Sequence, residues 1–321
     1  MRTFGIPVAF SLVIVTTVLI NATPAYALMA GTSPDSPTAR IDPNTMSSPW
    51  AGVGSMSVSG NTFSGTLIDR RYVLTAAHVV AGASTGSIQF NLNYGGDLTQ
   101  RIGVTAIFIN PQYTGFGNGD LGSDLALVQL AEPIPDGVPI YGIYRDVLPI
   151  NKKITLVGYG ASGNGDVGAT IGGQAHIKRT GQNKVDQLIA GGGTGTPLSV
   201  YFYDFDGPTL SSNLTGGKTL GNTLETTVAS GDSGGPSFAQ GQHGEWLIAG
   251  VNTFTTLPSV SMTRSTFGTG GGGALLSAQI GWIDNIIATP VPEPSTASLL
   301  LVGALSLSGI AAWRRNSNSA N

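Results

Sequence analysis

Between residues 49 and 252 the apolar positions fall in short runs, alternating or continuous, broken by Gly, Asn, Asp and Ser. The first runs are 51–58, 62–68 and 72–75, parted by Ser59-Gly60-Asn61 and Asp69-Arg70. Further runs occupy 87–91, 103–109, 125–130, 154–159, 173–179, 185–189, 198–204, 236–239 and 246–252. Runs of this length bounded by turn residues predict strands. Many short strands so spaced predict a sandwich or closed barrels. Helical spacing is convincing only over 274–287, where Leu275, Leu276, Ile280, Ile283, Ile286 and Ile287 recur. Residues 268–273 (Gly-Thr-Gly-Gly-Gly-Gly) read as a flexible loop, and no Lys-Ser/Thr follows to make a phosphate-binding loop. Residues 28–48, rich in Pro, Ser, Thr and Ala without periodicity, read as an extended leader or propeptide.

The two ends carry different patterns. Residues 1–27 combine an early Arg2, an apolar run and Ala25-Tyr26-Ala27, which predicts a secretory signal cut after Ala27. Near the other end, Pro292-Glu293-Pro294 precedes the apolar stretch 297–313 and then Arg314-Arg315. That stretch is at the lower edge of membrane-spanning length. The arginines are expected on the cytoplasmic side. This order of motif, apolar helix and basic tail resembles the PEP-CTERM sorting signal of Gram-negative bacteria, over residues 290–321. The resemblance implies transient inner-membrane contact through the apolar helix, then processing by an exosortase-type enzyme and a secreted or cell-surface location.

Composition narrows the class. The chain has 321 residues, of which 47 are Gly and 10% are charged. A typical soluble domain is about 25% charged. Abundant Gly favours turn-rich β structure, since Gly inside a helix costs about 1 kcal/mol. The formal charge of −3 and the lack of a basic stripe argue against a nucleic-acid partner. With no Cys, disulfides and thiolate metal sites are excluded.

The chemistry centres on Gly231-Asp232-Ser233-Gly234-Gly235-Pro236. Ser233 is the candidate nucleophile, and such a serine needs a base. The N–H groups of Gly231 and Ser233 are candidates for an oxyanion hole. Of three histidines, His78 lies where the strand-like Tyr72-Val73-Leu74-Thr75 runs into small Ala76-Ala77. His176 and His243 have surface settings. The base needs an orienting carboxylate. Asp124, directly ahead of the apolar run 125–130, is preferred to Asp120 in its Gly-Asn-Gly-Asp loop.

The order His78, Asp124, Ser233 matches that of chymotrypsin and no other common triad. Together with Phe63-Ser64-Gly65-Thr66-Leu67-Ile68, Val157-Gly158-Tyr159-Gly160 and Trp282-Ile283, it makes the chain resemble the trypsin/chymotrypsin-like serine proteases. The resemblance implies an all-β protein of two perpendicular six-stranded antiparallel barrels with a C-terminal helix. The barrels are expected over about 49–150 and 151–273, the helix over about 274–287, within a protease domain spanning 49–289. It implies a monomeric serine endopeptidase acting on protein or peptide substrates without cofactor or metal. Thr227 is expected to line the floor of the specificity pocket, with Thr253, Phe254 and Thr255 as the substrate-pairing wall. No carboxylate stands at position 227, so no strong Lys/Arg preference is expected. The family's histidine-segment disulfide is replaced by Phe63 and Val79. Family activation pairs the acid before the nucleophile with a new N-terminal amine. Arg40-Ile41 offers a cleavage point that would pair the Ile41 amine with Asp232. A catalytically silent binding or matrix protein on the same fold is the competing reading.

Overall fold

The computed structural model describes residues 28–288 except 117, 119, 192–196, 260 and 261. The signal segment and the sorting tail lie outside the described residues. Among those described, no helix is long and apolar enough to cross a membrane.

Six strands form the first half: β1 (Val53–Val58), β2 (Asn61–Leu67), β3 (Tyr72–Thr75), β4 (Ile88–Leu92), β5 (Gln100–Ile109) and β6 (Ala126–Leu130). They close into an antiparallel barrel in the order β1-β2-β3-β6-β5-β4, sealed by the pairing of β1 with β4. Closure removes exposed strand edges. On these strands Val53, Met56, Leu67, Leu74, Phe90 and Leu127 are all fully buried.

The second half comprises β7 (Lys153–Gly158), β8 (Ser162–Asn164), β9 (Gly168–Ile171), β10 (Arg179–Lys184), β11 (Gln187–Ala190), β12 (Leu198–Asp204), β13 (Pro236–Gln240), β14 (Trp246–Thr256) and β15 (Gly270–Leu275). Seven of these make one antiparallel sheet ordered β10-β7-β13-β14-β15-β12-β11, and β8 pairs with β9 as a separate hairpin. The expected pair of six-stranded barrels is therefore met by one closed barrel and one seven-stranded sheet. The core on this sheet gathers Ile154, Leu156, Tyr201, Tyr203, Val228 and Leu275.

Three local expectations change. Residues 270–273 are strand, not loop, and are buried. A Cβ on Gly273 would lie 1.8 Å from the Val251 carbonyl oxygen, and one on Gly272 2.2 Å from that of Tyr201. Glycine is there because neighbouring strands fill the space, and no local pattern reports that. The helix starts later than expected: Ala274 and Leu275 stay in β15, and α2 runs Ile280–Ala288. Residues 173–178 are not a strand, because Lys178 is drawn inward, its Nζ donating to the Trp50 carbonyl at 2.9 Å.

The 28–48 segment is no loose leader. Leu28, Met29 and Ala30 are fully buried. Arg40 pairs with Asp35, and its guanidinium also donates to the carbonyls of Leu224 and Glu225 at 3.1 and 3.0 Å. Asp42 lies 3.5 Å from Lys178 Nζ, which burial lowers to about 8. These contacts tie Leu28, Arg40 and Asp42 to the second half.

Candidate active site

Strand β3 is buried at every position and delivers the chain into the short helix α1 (Ala77–Val80). Ala76 and Ala77 are fully buried, so a larger side chain at either would collide with the core. His78 follows, its side chain 17% exposed, beside an Asp124 that is 1% exposed. Both Asp124 oxygens are used on this one residue. Oδ2 lies 2.7 Å from His78 Nδ1, and Oδ1 accepts the His78 backbone N–H at 2.8 Å. An Nδ1–H facing a carboxylate leaves Nε2 of the neutral ring as the acceptor. Asp120 does different work: its Oδ1 accepts the Gly122 N–H at 3.0 Å and shapes the turn that leads to Asp124.

The loop ahead of Asp124 covers the histidine. The Phe116 ring sits 4.6 Å from the His78 ring. Tyr113 has its phenol pushed up to about 12, mainly by burial and then by the Asp124 charge. Gln279 braces the loop from behind. It accepts from Asn110 Nδ2 at 2.9 Å and donates to the Gly122 carbonyl at 3.0 Å.

Ser233 stands on a tight turn. The Asp232 N–H bonds to the Ala229 carbonyl at 3.2 Å, and the Gly235 N–H to that of Asp232 at 2.8 Å. Gly231 and Gly234 have φ of 96° and 83°, the left-handed region that favours glycine. At Gly234 a Cβ would lie 2.0 Å from Thr75 Oγ1, so the turn is pressed against β3, the strand that presents His78. Ser64 on β2 fastens the turn. Its N–H donates to the Ser233 carbonyl at 3.0 Å, and its Oγ donates to the Gly231 carbonyl at 2.9 Å. The same Oγ accepts the Tyr159 N–H at 3.0 Å, and the Ser64 carbonyl accepts Thr75 Oγ1 at 3.0 Å. One residue of the barrel thus holds the Ser233 turn and both flanking segments.

A family model described as Trypsin matches residues 41–267. The chain belongs to the trypsin family. A second model, the PEP-CTERM protein-sorting motif, matches residues 290–316, so the tail carries that motif. Chymotrypsin-like elastase family member 1 from Felis catus is 27% identical over 71% of this chain and 80% of its own length. Chymotrypsin-C from Bos taurus is 25% identical over 70% and 77%. Among solved structures, neuropsin, a serine protease expressed in the limbic system of mouse brain, superposes with a TM-score of 0.54. It shares 17% identity and covers 75% of this chain and 96% of that one, a likeness of fold.

The remaining expected positions in this trypsin-family chain are placed as follows. Thr227 is fully buried, and its hydroxyl neighbours the Tyr203 phenol, itself buried and held neutral well above its usual range by desolvation. Thr253 is buried at a bulge in β14, its hydroxyl without a protein partner among the described residues. Phe254 lies over Gly272, where a Cβ would be 2.7 Å from its Cζ, and Thr255 Oγ1 is 3.5 Å from Arg264 Nη1. His176 and His243 are exposed.

Ile41 is not at Asp232. Its N–H donates to the Thr38 carbonyl at 3.2 Å, it bridges to Arg179, and it is 39% exposed. The Asp232 carboxylate instead accepts N–H groups from Ala229 at 2.9 Å and Gly160 at 3.2 Å, while burial holds its pKa well above the carboxylate range. Leu28, Met29, Ala30 and Arg40, which a cut after Arg40 would shed, are buried in the uncut chain.

Sequence reasoning also passed over Ser64, Phe116 and Tyr203. Ser64 had only a weak signal: it shares one face of β2 with Thr62 and Thr66, and a hydroxyl buried there must find a specific partner. Phe116 and Tyr203 had none, because an aromatic in a loop or strand reads as ordinary core.

Proposed function

We propose that this chain is an exported serine endopeptidase acting through His78, Asp124 and Ser233. The reading is carried by the two-point hold of Asp124 on His78, which fixes both the ring's tautomer and its position. His78 Nε2 takes the Ser233 proton as Oγ attacks a peptide carbonyl. The N–H groups of Gly231 and Ser233 stabilise the resulting oxyanion. His78 then protonates the leaving amine, and water, activated by the same imidazole, hydrolyses the acyl-enzyme. Asp124 stabilises the transient imidazolium.

Thr227 forms the pocket floor with Tyr203 behind it, and Thr253, Phe254 and Thr255 pair with the substrate backbone. A floor of hydroxyls leaves a Lys or Arg side chain without a counter-charge, so neither is preferred. The PEP-CTERM tail directs the protein to the surface of a Gram-negative cell, with passing inner-membrane contact before an exosortase removes it.

The test is labelling with a serine-directed phosphonate. Wild type is expected to label and Ser233→Ala not to. A folded wild type that takes no label would refute the enzyme reading.

A further inference from the structure

The lining of the proposed substrate pocket is uncharged. Thr255 pairs with Gly271 between β14 and β15. A Cβ on Gly271 would lie 2.7 Å from Tyr203 Oη and 2.9 Å from Val228 Cγ2, and Val228 follows Thr227. Thr253 is 3% exposed, and its hydroxyl has no protein partner among the described residues. A hydroxyl both donates and accepts, so these side chains suit an anion or a cation alike. The sign is set by the charges around them.

The acids of this region are turned elsewhere. Glu225 is 1% exposed, and both its oxygens are occupied. Oε1 accepts the Leu220 N–H at 2.6 Å and Thr219 Oγ1 at 2.9 Å, and Oε2 accepts the Asp206 N–H at 2.9 Å. Asp232 is wholly buried and accepts the Ala229 and Gly160 N–H groups. Arg264 differs. It is half-buried, and its Nη1 donates to Thr255 Oγ1 at 3.5 Å. That is a long bond, which a carboxylate would replace with a shorter, charge-assisted one. Arg264 joins no ion pair among the described residues. Its turn is pinned on both sides. Ser265 Oγ donates to the Val228 carbonyl at 3.0 Å, and the Phe267 N–H donates to the Gly165 carbonyl at 2.8 Å. A guanidinium held beside the substrate wall is suited to grip a planar carboxylate.

We propose that Arg264 is a specificity-determining residue, and that the enzyme prefers a Glu or Asp side chain among the three residues on the acyl side of the scissile bond. A peptide laid along Thr253–Thr255 brings that carboxylate to the guanidinium, which pairs with it in place of the Thr255 hydroxyl. The same charge repels Lys and Arg at those positions. This inference rests on the reading of Ser233 as nucleophile and of Thr253–Thr255 as the substrate wall.

The test uses protein purified from cells that express the full chain. Peptide pairs differing only by Glu against Gln, at each of those three positions in turn, are cleaved at low and high salt. At one position or more, Glu is expected to raise kcat/KM about 10-fold over Gln, the gain of a charge-assisted hydrogen bond, and the gain should shrink at high salt. Arg264→Lys should keep a preference for Glu, Arg264→Gln should lose it, and Arg264→Glu should favour Lys over Gln. A merely structural role would slow both members of each pair and leave their ratio alone. No Glu preference in wild type, or one that survives in Arg264→Gln, overturns the inference. Affinities of the same peptides for Ser233→Ala are measured in parallel. Suppose that wild type takes no phosphonate and cleaves nothing. If Ser233→Ala still binds the Glu peptide more tightly, and Arg264→Gln abolishes the difference, the anion site stands and the protease reading fails. Equal affinities in that case overturn the anion site as well.

Discussion

The Ser64 hydroxyl donates to the Gly231 carbonyl across 2.9 Å, from the barrel to the turn that carries Ser233. Removing it leaves the Gly231 carbonyl and the Tyr159 N–H short of a partner in a buried place. Ser64→Ala is expected to lower stability by about 1–3 kcal/mol, the cost of buried groups left unpaired. It should lower kcat more than it raises KM, because it loosens the oxyanion donors rather than the substrate wall. Denaturant unfolding and steady-state kinetics check both.

Asp124 and Asp120 lie four residues apart and differ in what they hold. Asp124→Asn keeps the shape but upsets the His78 tautomer, so kcat should fall by about 10⁴-fold. Asp120→Asn keeps an acceptor for the Gly122 N–H. Its kcat should stay near wild type. Reversed effects in peptide hydrolysis would move the orienting role to Asp120.

The second half carries a cluster of acids. Burial, then the neighbouring Asp204 and Asp206 charges, push Asp186 up to about 8, against the backbone bond from the Asp204 N–H. In the unfolded chain its pKa is about 3.9. The native state thus holds an extra proton between those values, and stability falls as pH rises from 4 to 8. Asp186→Asn should gain about 1 kcal/mol at pH 8, allowing for solvent screening of a partly exposed group. That is about 2–4 °C in Tm for a domain of this size, with no gain at pH 4. Thermal melts at both pH values test it.

The crowding along β15 makes a sharp contrast available. Gly273→Ala places a methyl 1.8 Å from the Val251 carbonyl oxygen and should cost about 3 kcal/mol or more. Gly103→Ala on β5 meets nothing within 4 Å. It should be neutral or stabilising by about 0.5 kcal/mol. Equal effects would mean that β15 is not packed as described.

Much of this was legible along the chain. Strand-length apolar runs marked most of the strands, because alternation is a local consequence of one face meeting a core. The roles proposed for His78, Asp124 and Ser233 rest on small flanking residues and on their order, and the structure brings Asp124 to His78. Other features depended on partners far away in sequence. Residues 28–48 look like a leader because Pro, Ser and Thr carry no periodicity, yet Leu28 is held by Ser162 and Met29 by Thr227. Residues 270–273 look like a loop because glycine has no side chain to reveal a buried face, yet Tyr201 and Val251 leave space for nothing larger. Local chemistry determined the class of the protein and pointed to the candidate residues of its site. Long-range packing alone decided which glycines are strand, which serine fastens the turn, and that Leu28, Met29 and Ala30 belong to the folded core.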